Sequence, residues 1–247
     1  MDKNTKNKIP NLDTLSLEVY NDKEFAQSYS NKIEYNSHNA LYERPATLSL
    51  LPDVKGKKVL DAGCGPGKYS EWLVDKGAIV TAIDYSDEMI SHTKEKVGDK
   101  ATVIKANLNL PLDLFKDEEF DVITSSMVIH YLKDWRSLFS EFNRILKKEG
   151  VLIFSTSHPF EEFYNHSDGN YFETELLTED WPSYGIEMNF FRRPLTEIFK
   201  VLKECDFRFD EMLEPQPIEE CREKFPDVYE ILSRKPWIIC FRAIKEK

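Results

Sequence analysis

Between residues 58 and 155, short apolar runs alternate with amphipathic stretches, and this alternation restricts the fold more than any other feature of the chain. The apolar runs have the length of buried strands and lie at 58–62, 78–83, 102–106, 120–124 and 151–155. Stretches in which apolar residues recur with helical spacing lie between several of them, at about 68–76, 87–97 and 134–147. Strands that alternate with helices form a parallel sheet covered on both faces. We therefore expect an α/β fold.

The chain before this region has the pattern of a helical cap. Residues 1–12 are polar and rich in lysine and asparagine, as in a frayed terminal tail. Between residues 22 and 51, apolar and aromatic side chains recur at steps of three and four residues or their multiples, which predicts two helices with one buried face each. We expect a tail and helical cap over 1–51 and the main domain over 52–247.

The chain after the fifth apolar run begins with an irregular segment. Residues 158–193 are rich in aromatic and acidic side chains but keep no regular period. A segment of that length in a compact domain is typical of a lid or a binding loop, so we expect a lid insertion here. Beyond it, the patterns predict a helix, two strands and two short helices between those strands, at 194–205, at 207–213 and 237–244, and at 219–224 and 226–233.

The composition disfavours several classes of protein. With 33 basic and 44 acidic residues the net charge is −11, which opposes binding to a nucleic-acid backbone. The sequence lacks the run of about 18 apolar residues that a membrane helix needs and the apolar N-terminal segment that a signal peptide needs. The four cysteines are widely spaced, so neither a disulfide framework nor a zinc site is indicated. We expect a cytoplasmic protein that needs no membrane and no metal, and its oligomeric state stays open.

A glycine-rich turn follows the first apolar run directly and precedes the first of these helices. Glycines at 63, 65 and 67 allow positive φ and close approach of a ligand, and the helix N-terminus offers free N–H groups to an anion. The dinucleotide fingerprint is excluded because position 68 is lysine instead of its third glycine. A phosphate loop is excluded because Tyr69 stands where serine or threonine would follow that lysine. Asp84 ends the next apolar run, where a carboxylate can accept hydrogen bonds from ribose hydroxyls.

These motifs resemble those of class I S-adenosylmethionine-dependent methyltransferases. The resemblance covers about residues 59–157, through VLDAGCGPGKYS, AIDYSDEM, FDVITSSMVIHYLKDW and LKKEGVLIFS. It is closest to the small-molecule branch with an N-terminal helical cap. It implies S-adenosyl-L-methionine as the cofactor and a Rossmann-like seven-stranded mixed sheet with helices on both faces, in the order 3-2-1-4-5-7-6 with the last strand antiparallel.

The resemblance also implies roles for residues of the first two motifs. Asp61, Gly63 and Gly65 would hold the amino-acid end of the cofactor. Cys64 lies between the two glycines as a small residue that fits a tight turn. Asp84 would accept hydrogen bonds from the ribose hydroxyls.

The adenine would lie between side chains that follow the second and third strands. The family resemblance assigns Tyr85 and Met89 to the two faces of the ring. The third strand of the family usually ends in an acid that meets the adenine amino group, and here Asn107, followed by Leu108, takes that position. The amide oxygen of Asn107 can accept the same hydrogen bond without a charge.

The methionyl end of the cofactor would meet residues from the fourth strand and from the cap. Ser125 and Ser126 follow the fourth strand at the position that the family places near this part of the cofactor. Tyr29 would bring a phenol close to the sulfonium. Arg44 is a candidate for a bidentate contact with the cofactor carboxylate.

Two histidines are candidates for a general base. His130 and His158 lie beyond the fourth and fifth predicted strands, at the edge where open α/β sheets bind ligands. A histidine there could take a proton from a substrate hydroxyl or amine, because its pKa lies near neutrality. The alternatives are a packed residue that orients the loop for His130 and a turn residue for His158.

The side chains of the insertion leave two interpretations open. Its acids and aromatics could form a cage that attracts a cationic amine. They could also form a solvated lid whose aromatics cover the core, which is the simpler account.

The sequence therefore predicts an enzyme that transfers a methyl group from S-adenosylmethionine to an oxygen or nitrogen atom of a small molecule. Two alternatives stay open. One is a methyltransferase acting on tRNA or protein, against which the acidic balance and the lack of an appended RNA-binding module count. The other is a non-catalytic protein that binds the cofactor.

Overall fold

A large sheet and a separate hairpin account for all strands of the protein that its computed structural model describes, over residues 15–246. The strands are β1 Lys58–Ala62, β2 Ile79–Asp84, β3 Ala101–Lys105, β4 Phe120–Ser126, β5 Leu146–Ser157, β6 Glu175–Trp181, β7 Ile186–Arg192, β8 Phe207–Leu213 and β9 Ile238–Lys245.

Ten α-helices are found in the same residues. They are α1 Leu15–Val19, α2 Lys23–Ile33, α3 Arg44–Ser49, α4 Lys68–Asp75, α5 Asp87–Val97, α6 Trp135–Ile145, α7 Pro159–His166, α8 Leu195–Glu204, α9 Glu219–Lys224 and α10 Pro226–Leu232. Within this part of the chain, no helix combines the length and the apolar composition that crossing a membrane requires.

The central sheet has seven strands in the order β3-β2-β1-β4-β5-β9-β8. Strands β1 to β5 pair in parallel, whereas β9 runs antiparallel to both β5 and β8. Since β8 and β9 are the sixth and seventh strands of this sheet, the predicted order with an antiparallel last strand is confirmed.

Helices cover both faces of the sheet. On one face, α6 and α8 bury apolar side chains such as Phe139 and Val201 against the sheet. On the other face, α3 and α4 contribute Ala46 and Leu73 to a second apolar cluster. The two layers explain why β1, β2, β4 and β5 have mostly apolar sequences, since these strands lie between them, whereas the edge strand β3 is only partly buried.

One boundary differs from the prediction. The helix expected to reach residue 147 ends at Ile145, and β5 begins at Leu146, which pairs with Phe120 ahead of a register shift in β4. Glu149 adopts a φ of +57°, so the strand has a local irregularity between this helix and the apolar run predicted at 151–155.

The N-terminal cap contains the two predicted helices, α2 and α3, and two further elements. These are the short helix α1 and a π-helical turn, Asn39–Glu43, that leads directly into α3. Helix α2 lies against α5, where the hydroxyl of Ser30 and Nδ1 of His92 are 2.6 Å apart. The predicted tail over residues 1–12 lies outside the described residues.

The insertion after β5 is more regular than its sequence pattern indicates. It forms α7 and the antiparallel hairpin β6-β7. The buried hairpin residues Leu177, Met188 and Phe190 pack against Tyr131, which follows β4. The hairpin therefore depends on a partner about 50 residues away in the chain, and such a contact leaves no periodicity in the local sequence.

Candidate active site

A cavity opens at the carboxyl ends of the central strands, beneath the cap, and we call it the sheet-edge cavity. Its empty volume, including the mouth, is about 920 Å³. The structure brings most of the predicted binding residues to its wall: Tyr29, Gly63, Cys64, Gly65, Asp84, Tyr85, Met89, Asn107, Leu108 and Ser126.

At two positions of the turn after β1, glycine is favoured for different structural reasons. The turn is tied to β2 because the backbone N–H groups of Gly63 and Cys64 donate to the carbonyl of Ile83. A Cβ atom on Gly63 would lie 2.4 Å from a methyl group of Val128, so the turn can approach the segment after β4 only without a side chain. A Cβ atom on Gly65 would meet no atom within 4 Å, and that open space belongs to the cavity.

Asp84 is held at the cavity wall by backbone donors. Its two carboxylate oxygens accept hydrogen bonds from the N–H groups of Gly65, at 2.8 Å, and Ser86, at 2.9 Å. Burial raises the pKa of Asp84, and these backbone hydrogen bonds oppose that shift by favouring the carboxylate. The side chain is half-buried and faces the cavity from the end of β2, as the sequence predicted.

Asp61 and Ser125 do not line the cavity. Asp61 is buried and accepts a 2.6 Å hydrogen bond from the hydroxyl of Ser70, which joins the end of β1 to α4. Burial raises the pKa of Asp61 to about 7. Ser125 donates to the carbonyl of Ala62 at 2.9 Å. Both side chains therefore support the turn and its neighbouring strands.

The wall near β2 and β3 combines apolar side chains with one amide. Met89 and Leu108 are buried and line the cavity, and the phenol of Tyr85 donates to Glu18 of α1. The side-chain oxygen of Asn107 accepts the backbone N–H of Asn109 at 2.9 Å, which leaves its second lone pair free.

The prediction for Arg44 is not supported by its position. The Arg44 guanidinium donates to the carbonyl of Ile33 at 2.9 Å, at the end of α2, and does not line the cavity. Glu43, one residue earlier, lines it instead. Neighbouring residues of a helix point in directions about 100° apart, and of these two side chains only that of Glu43 reaches the cavity.

Glu43 lies within a cluster of hydroxyl groups. It is 1% exposed, and its Oε1 atom accepts hydrogen bonds from Thr47 at 2.7 Å, Ser126 at 2.7 Å and Ser155 at 2.6 Å. The phenol of Tyr69 lies 2.9 and 2.8 Å from Oε1 and Oε2. Four hydroxyls thus replace the water that the carboxylate loses on burial.

Sequence reasoning missed Glu43. Its hydroxyl partners lie up to 112 residues away in the chain, so no local pattern marks it. Within the Tyr-Glu-Arg-Pro segment, residues 42–45, only Arg44 was predicted to contact the cofactor.

The cation at the cavity is Lys68, the first residue of α4. Among the described lining residues it is the only lysine or arginine. Its ammonium pairs with Glu34 of the cap and lies 3.0 Å from Glu71. These carboxylates hold the pKa of Lys68 above its ordinary value, although burial lowers it.

Tyrosines from the cap and from the segment after β4 close the cavity. The ring of Tyr20 lies 5.2 Å from that of Tyr29, and its hydroxyl is 3.0 Å from that of Tyr131. Tyr29 stacks on Phe25 at 5.9 Å. Burial raises the pKa of all three tyrosines, so the phenols stay neutral.

A second cavity lies between the cap and the insertion, and we call it the lid chamber. Its empty volume is about 1,150 Å³, and its walls come from the cap, the end of β5, α7, the hairpin and Trp237. Both cavities share Tyr29, Asn39, Met127 and Tyr131 as lining residues. Met127 follows β4 with a φ of +52°, an unfavourable backbone conformation that often marks functional sites.

His130 lines the lid chamber, but its environment differs from that of a general base. It is 6% exposed, and its Nδ1 atom has no hydrogen-bond partner. Burial, with a smaller contribution from Arg193, lowers the pKa of His130 to about 3. The ring is therefore neutral at neutral pH, with one nitrogen that can donate and one that can accept a hydrogen bond. Its protonated form is strongly disfavoured.

His158 has a structural position. Its Nδ1 atom accepts the backbone N–H of Phe160 at the start of α7, and Nε2 lies 3.0 Å from Glu214. It lines neither the sheet-edge cavity nor the lid chamber. The structure thus favours the turn-residue alternative, because both ring nitrogens already have partners.

The four cysteines are free and buried. Burial raises the pKa of Cys64 well above its ordinary value, so the thiol in the glycine turn is not activated.

Comparisons with known proteins agree with this geometry. The family model described as "Methyltransferase domain" matches residues 60–154. The solved S-adenosylmethionine-dependent methyltransferase from Mesorhizobium loti is 24% identical and has a TM-score of 0.71, covering 86% of this chain and all of that one. The chain thus shares the fold of this solved methyltransferase, and its residues 60–154 match the methyltransferase domain model.

Two relatives show how the similarity is distributed. An uncharacterized protein of Haemophilus influenzae is 28% identical over 253 residues, which cover 93% of this chain and 97% of that protein. The malonyl-[acyl-carrier protein] O-methyltransferase of Hamiltonella defensa is 35% identical over 109 residues, which cover 44% of this chain and 41% of that enzyme. The match to the enzyme is thus confined to less than half of each chain.

The residues of the sheet-edge cavity fit S-adenosylmethionine, the compound on which the solved Mesorhizobium loti methyltransferase depends. The cavity offers a carboxylate at Asp84, open space at Gly65, apolar walls at Met89 and Leu108, and a second carboxylate at Glu43. A ligand with ribose hydroxyls, an aromatic ring and an ammonium group matches this set of side chains.

Proposed function

We propose that this methyltransferase domain transfers the methyl group of S-adenosylmethionine to a nitrogen or oxygen atom of a small molecule bound in the lid chamber. The observation that carries the proposal is the junction of the two cavities. Tyr29, Asn39, Met127 and Tyr131 line both, so ligands in the two cavities would meet there.

We assign the adenosyl end of the cofactor to the β2 and β3 side of the sheet-edge cavity. The carboxylate of Asp84 would accept hydrogen bonds from the ribose hydroxyls, as its place at the strand end supports. Tyr85, Met89 and Leu108 would enclose the adenine, and the free lone pair of Asn107 would accept its amino group.

We assign the amino-acid end to the side lined by Glu43 and Lys68. Glu43 would pair with the cofactor ammonium, because its Oε2 atom accepts from Tyr69 alone and keeps acceptor capacity. Lys68 and the backbone N–H groups at the start of α4 would hold the cofactor carboxylate.

Bound S-adenosylmethionine supplies a methyl group that its sulfonium makes electrophilic, so the residues of this chain need to orient the acceptor and exclude water. The aromatic cluster of Tyr20, Phe25 and Tyr29 would shield the junction. Neutral His130 would hold an acceptor group by a hydrogen bond from the chamber wall. In this proposal residues 1–51 act as the cap, 52–247 form the catalytic domain and 158–193 serve as the lid.

The first test is binding of S-adenosylmethionine, measured by calorimetry. Wild-type protein should bind it saturably, and Asp84→Ala should weaken binding by at least about tenfold, as expected for losing hydrogen bonds to a charged group. Asp113→Ala, an exposed acid outside the cavity, is the matched control and should bind normally. Absence of binding to the wild type would refute the proposal, and unchanged affinity of Asp84→Ala would remove Asp84 from the ribose role.

The second test is transfer of a labelled methyl group from the cofactor into fractionated cell extract. The label should appear in the small-molecule fraction, and mass spectrometry would identify the product. Label in the tRNA or protein fraction would refute the small-molecule acceptor, and no label in any fraction would favour a role in binding alone.

A further inference from the structure

Acidic side chains dominate the charge of the lid chamber. Four acids line it, Glu161 and Glu162 from α7 and Glu179 and Asp180 from β6. Three histidines, His38, His130 and His166, also line it, but no lysine or arginine is among its described lining residues. A concave surface with charges of one sign concentrates ligands of the opposite sign. Cationic ligands are therefore favoured, and phosphates and carboxylates are repelled.

The cationic side chains near the lid chamber either have hydrogen-bond partners in the protein or lie outside the chamber wall. Arg192 lies behind Glu162 and donates to the carbonyls of Asn170, Tyr171 and Glu173. Burial raises the pKa of Glu161, and His166 and Lys235 are among the groups that oppose this shift. Lys235 lies outside the lining. The negative charge of the chamber is thus only partly compensated by the protein.

Glu162, which lines the lid chamber, has a buried carboxylate oxygen without a hydrogen-bond partner. The residue is 5% exposed, and its Oε2 atom has no hydrogen-bond partner. Burial raises the pKa of Glu162 to about 8, with Glu161 and Glu179 adding to the shift and Ser157 and Arg192 opposing it. A buried carboxyl without a partner is costly, so an N–H donor placed beside it would be bound strongly.

Aromatic side chains form the other walls. Trp181 and Tyr184 lie with ring centroids 5.9 Å apart, and Trp237 packs against His38 at 5.0 Å. Faces of aromatic rings attract cations. Tyr184 already does so within the protein, because the ammonium of Lys32 lies 4.0 Å from its ring centroid.

The acids do not form a metal site. In residues 15–246, no group of three or more histidine, cysteine, aspartate or glutamate side chains has an arrangement suited to an ion. The ligand that fits spread carboxylates and aromatic walls is an organic cation.

From the proposed function together with these observations, we infer that the methyl acceptor is a cationic amine, with its N–H group donated to Glu162 and its body between the aromatic walls of the lid chamber. A proton that passes from the ammonium to the Glu162 carboxylate leaves a neutral amine with a free lone pair and a neutral carboxylic acid. This selects the amine-cage interpretation of the insertion over the solvated lid.

The test compares three probes that share one ring and differ in charge at about pH 7.5: benzylamine, benzyl alcohol and benzoate. Binding is measured by calorimetry without cofactor. Wild-type protein should bind benzylamine at least about tenfold more tightly than benzyl alcohol, and benzoate most weakly, because one charged hydrogen bond is worth about that much. Equal binding of the alcohol or of benzoate, or no binding of the amine, would overturn the inference.

Two variants test whether Glu162 is responsible for the preference for benzylamine over benzyl alcohol. Glu162→Gln keeps the shape and should reduce the amine's advantage to about threefold or less, and Glu187→Gln, exposed on β7 outside the chamber, should keep it. An unchanged amine advantage in Glu162→Gln would overturn the role of Glu162. If that variant unfolds, Glu179→Gln, which lies at a half-buried position, replaces it and should lower the amine advantage in the same direction.

Separate binding of S-adenosylmethionine distinguishes the two proposals. Loss of amine preference with normal cofactor binding would overturn only the inference. Amine preference without any cofactor binding would overturn only the proposed function.

Discussion

The phenol of Tyr69 lies within hydrogen-bond distance of both carboxylate oxygens of Glu43, at 2.9 and 2.8 Å. This contact joins α4, which follows the glycine turn, to the cap segment that closes the sheet-edge cavity. The same carboxylate also accepts hydrogen bonds from Ser126 of β4 and Ser155 of β5. One buried side chain thus connects the cap with the carboxyl ends of two central strands.

Replacing Glu43 by Gln should weaken binding of S-adenosylmethionine by about tenfold to a hundredfold, because a charged hydrogen bond contributes about 1.5–3 kcal/mol. The amide has nearly the same shape but no charge to pair with the cofactor ammonium. Calorimetry of the variant beside Glu220→Gln, an exposed residue of α9, measures the effect. If both variants bind like the wild type, Glu43 has only a structural role.

The two glycines of the turn should respond differently to alanine. Gly65→Ala places a methyl group in open space, so unfolding free energy should fall by only about 1 kcal/mol, from the φ of +52°, while cofactor binding is blocked. Gly63→Ala should lose about 2–4 kcal/mol, because its Cβ would lie 2.4 Å from Val128.

Urea unfolding and cofactor titration of the two glycine variants separate these effects. The double variant Gly63→Ala with Val128→Ala should be less destabilised than the sum of the single changes, since the shorter side chain makes room. Normal cofactor affinity in Gly65→Ala would argue against a ligand at this position.

His130 should make stability depend on acid. Its folded pKa of about 3 lies below the unfolded value of about 6.5, so the unfolded state binds a proton first as the pH falls. The stability that neutral His130 contributes is therefore complete above about pH 6.5 and lost progressively towards pH 3.

In His130→Phe, the loss of unfolding free energy on acidification should be shallower, by up to about 1.4 kcal/mol per pH unit. Urea unfolding at several pH values between 4 and 7 measures this slope. Phe190→Leu changes a residue that packs near the same ring without changing a titrating group, so it should keep the wild-type slope. If the unfolding free energy of the wild type and of His130→Phe falls equally steeply with decreasing pH, the low pKa assigned to His130 is wrong.

The Tyr20 and Tyr131 hydroxyls should be energetically coupled. Tyr20→Phe removes the 3.0 Å contact and leaves the Tyr131 hydroxyl buried, which should cost about 1 kcal/mol of unfolding free energy. The double variant Tyr20→Phe with Tyr131→Phe should cost less than the sum of the single variants, because no unpaired hydroxyl remains. Strict additivity in urea unfolding would show that the two hydroxyls do not interact.

Local patterns were sufficient for the parts of the site that lie in one stretch of chain. The glycine turn and Asp84 follow from a strand, a turn and the start of a helix, whereas Met89 was implied by the family resemblance. Gly63, Gly65, Asp84 and Met89 line the sheet-edge cavity. The strand order followed from resemblance over the same continuous segment. Such features depend on neighbours in sequence, so sequence reasoning can reach them.

Features that depend on distant partners were missed or misassigned. Arg44 was predicted to contact the cofactor and Glu43 was missed, because the direction of a side chain at the π-helical turn depends on how the cap packs. His158 was predicted as a candidate base, but in the structure its Nε2 atom contacts Glu214, 56 residues away in the chain. The cofactor contacts predicted for Asp61 and Ser125 stay predictions; in the structure Asp61 accepts a hydrogen bond from Ser70, and Ser125 donates one to the carbonyl of Ala62.

By itself, the sequence determined an α/β sheet with a ligand-binding turn after its first strand, because hydrophobic period and glycine spacing act within a few residues. Only the tertiary structure decided which carboxylates face a cavity, which histidine is free, and that the insertion forms a hairpin around an acidic and aromatic chamber. Those properties arise from burial and from hydrogen bonds between segments far apart in the chain, and the free energy of such contacts exists only once the chain has folded.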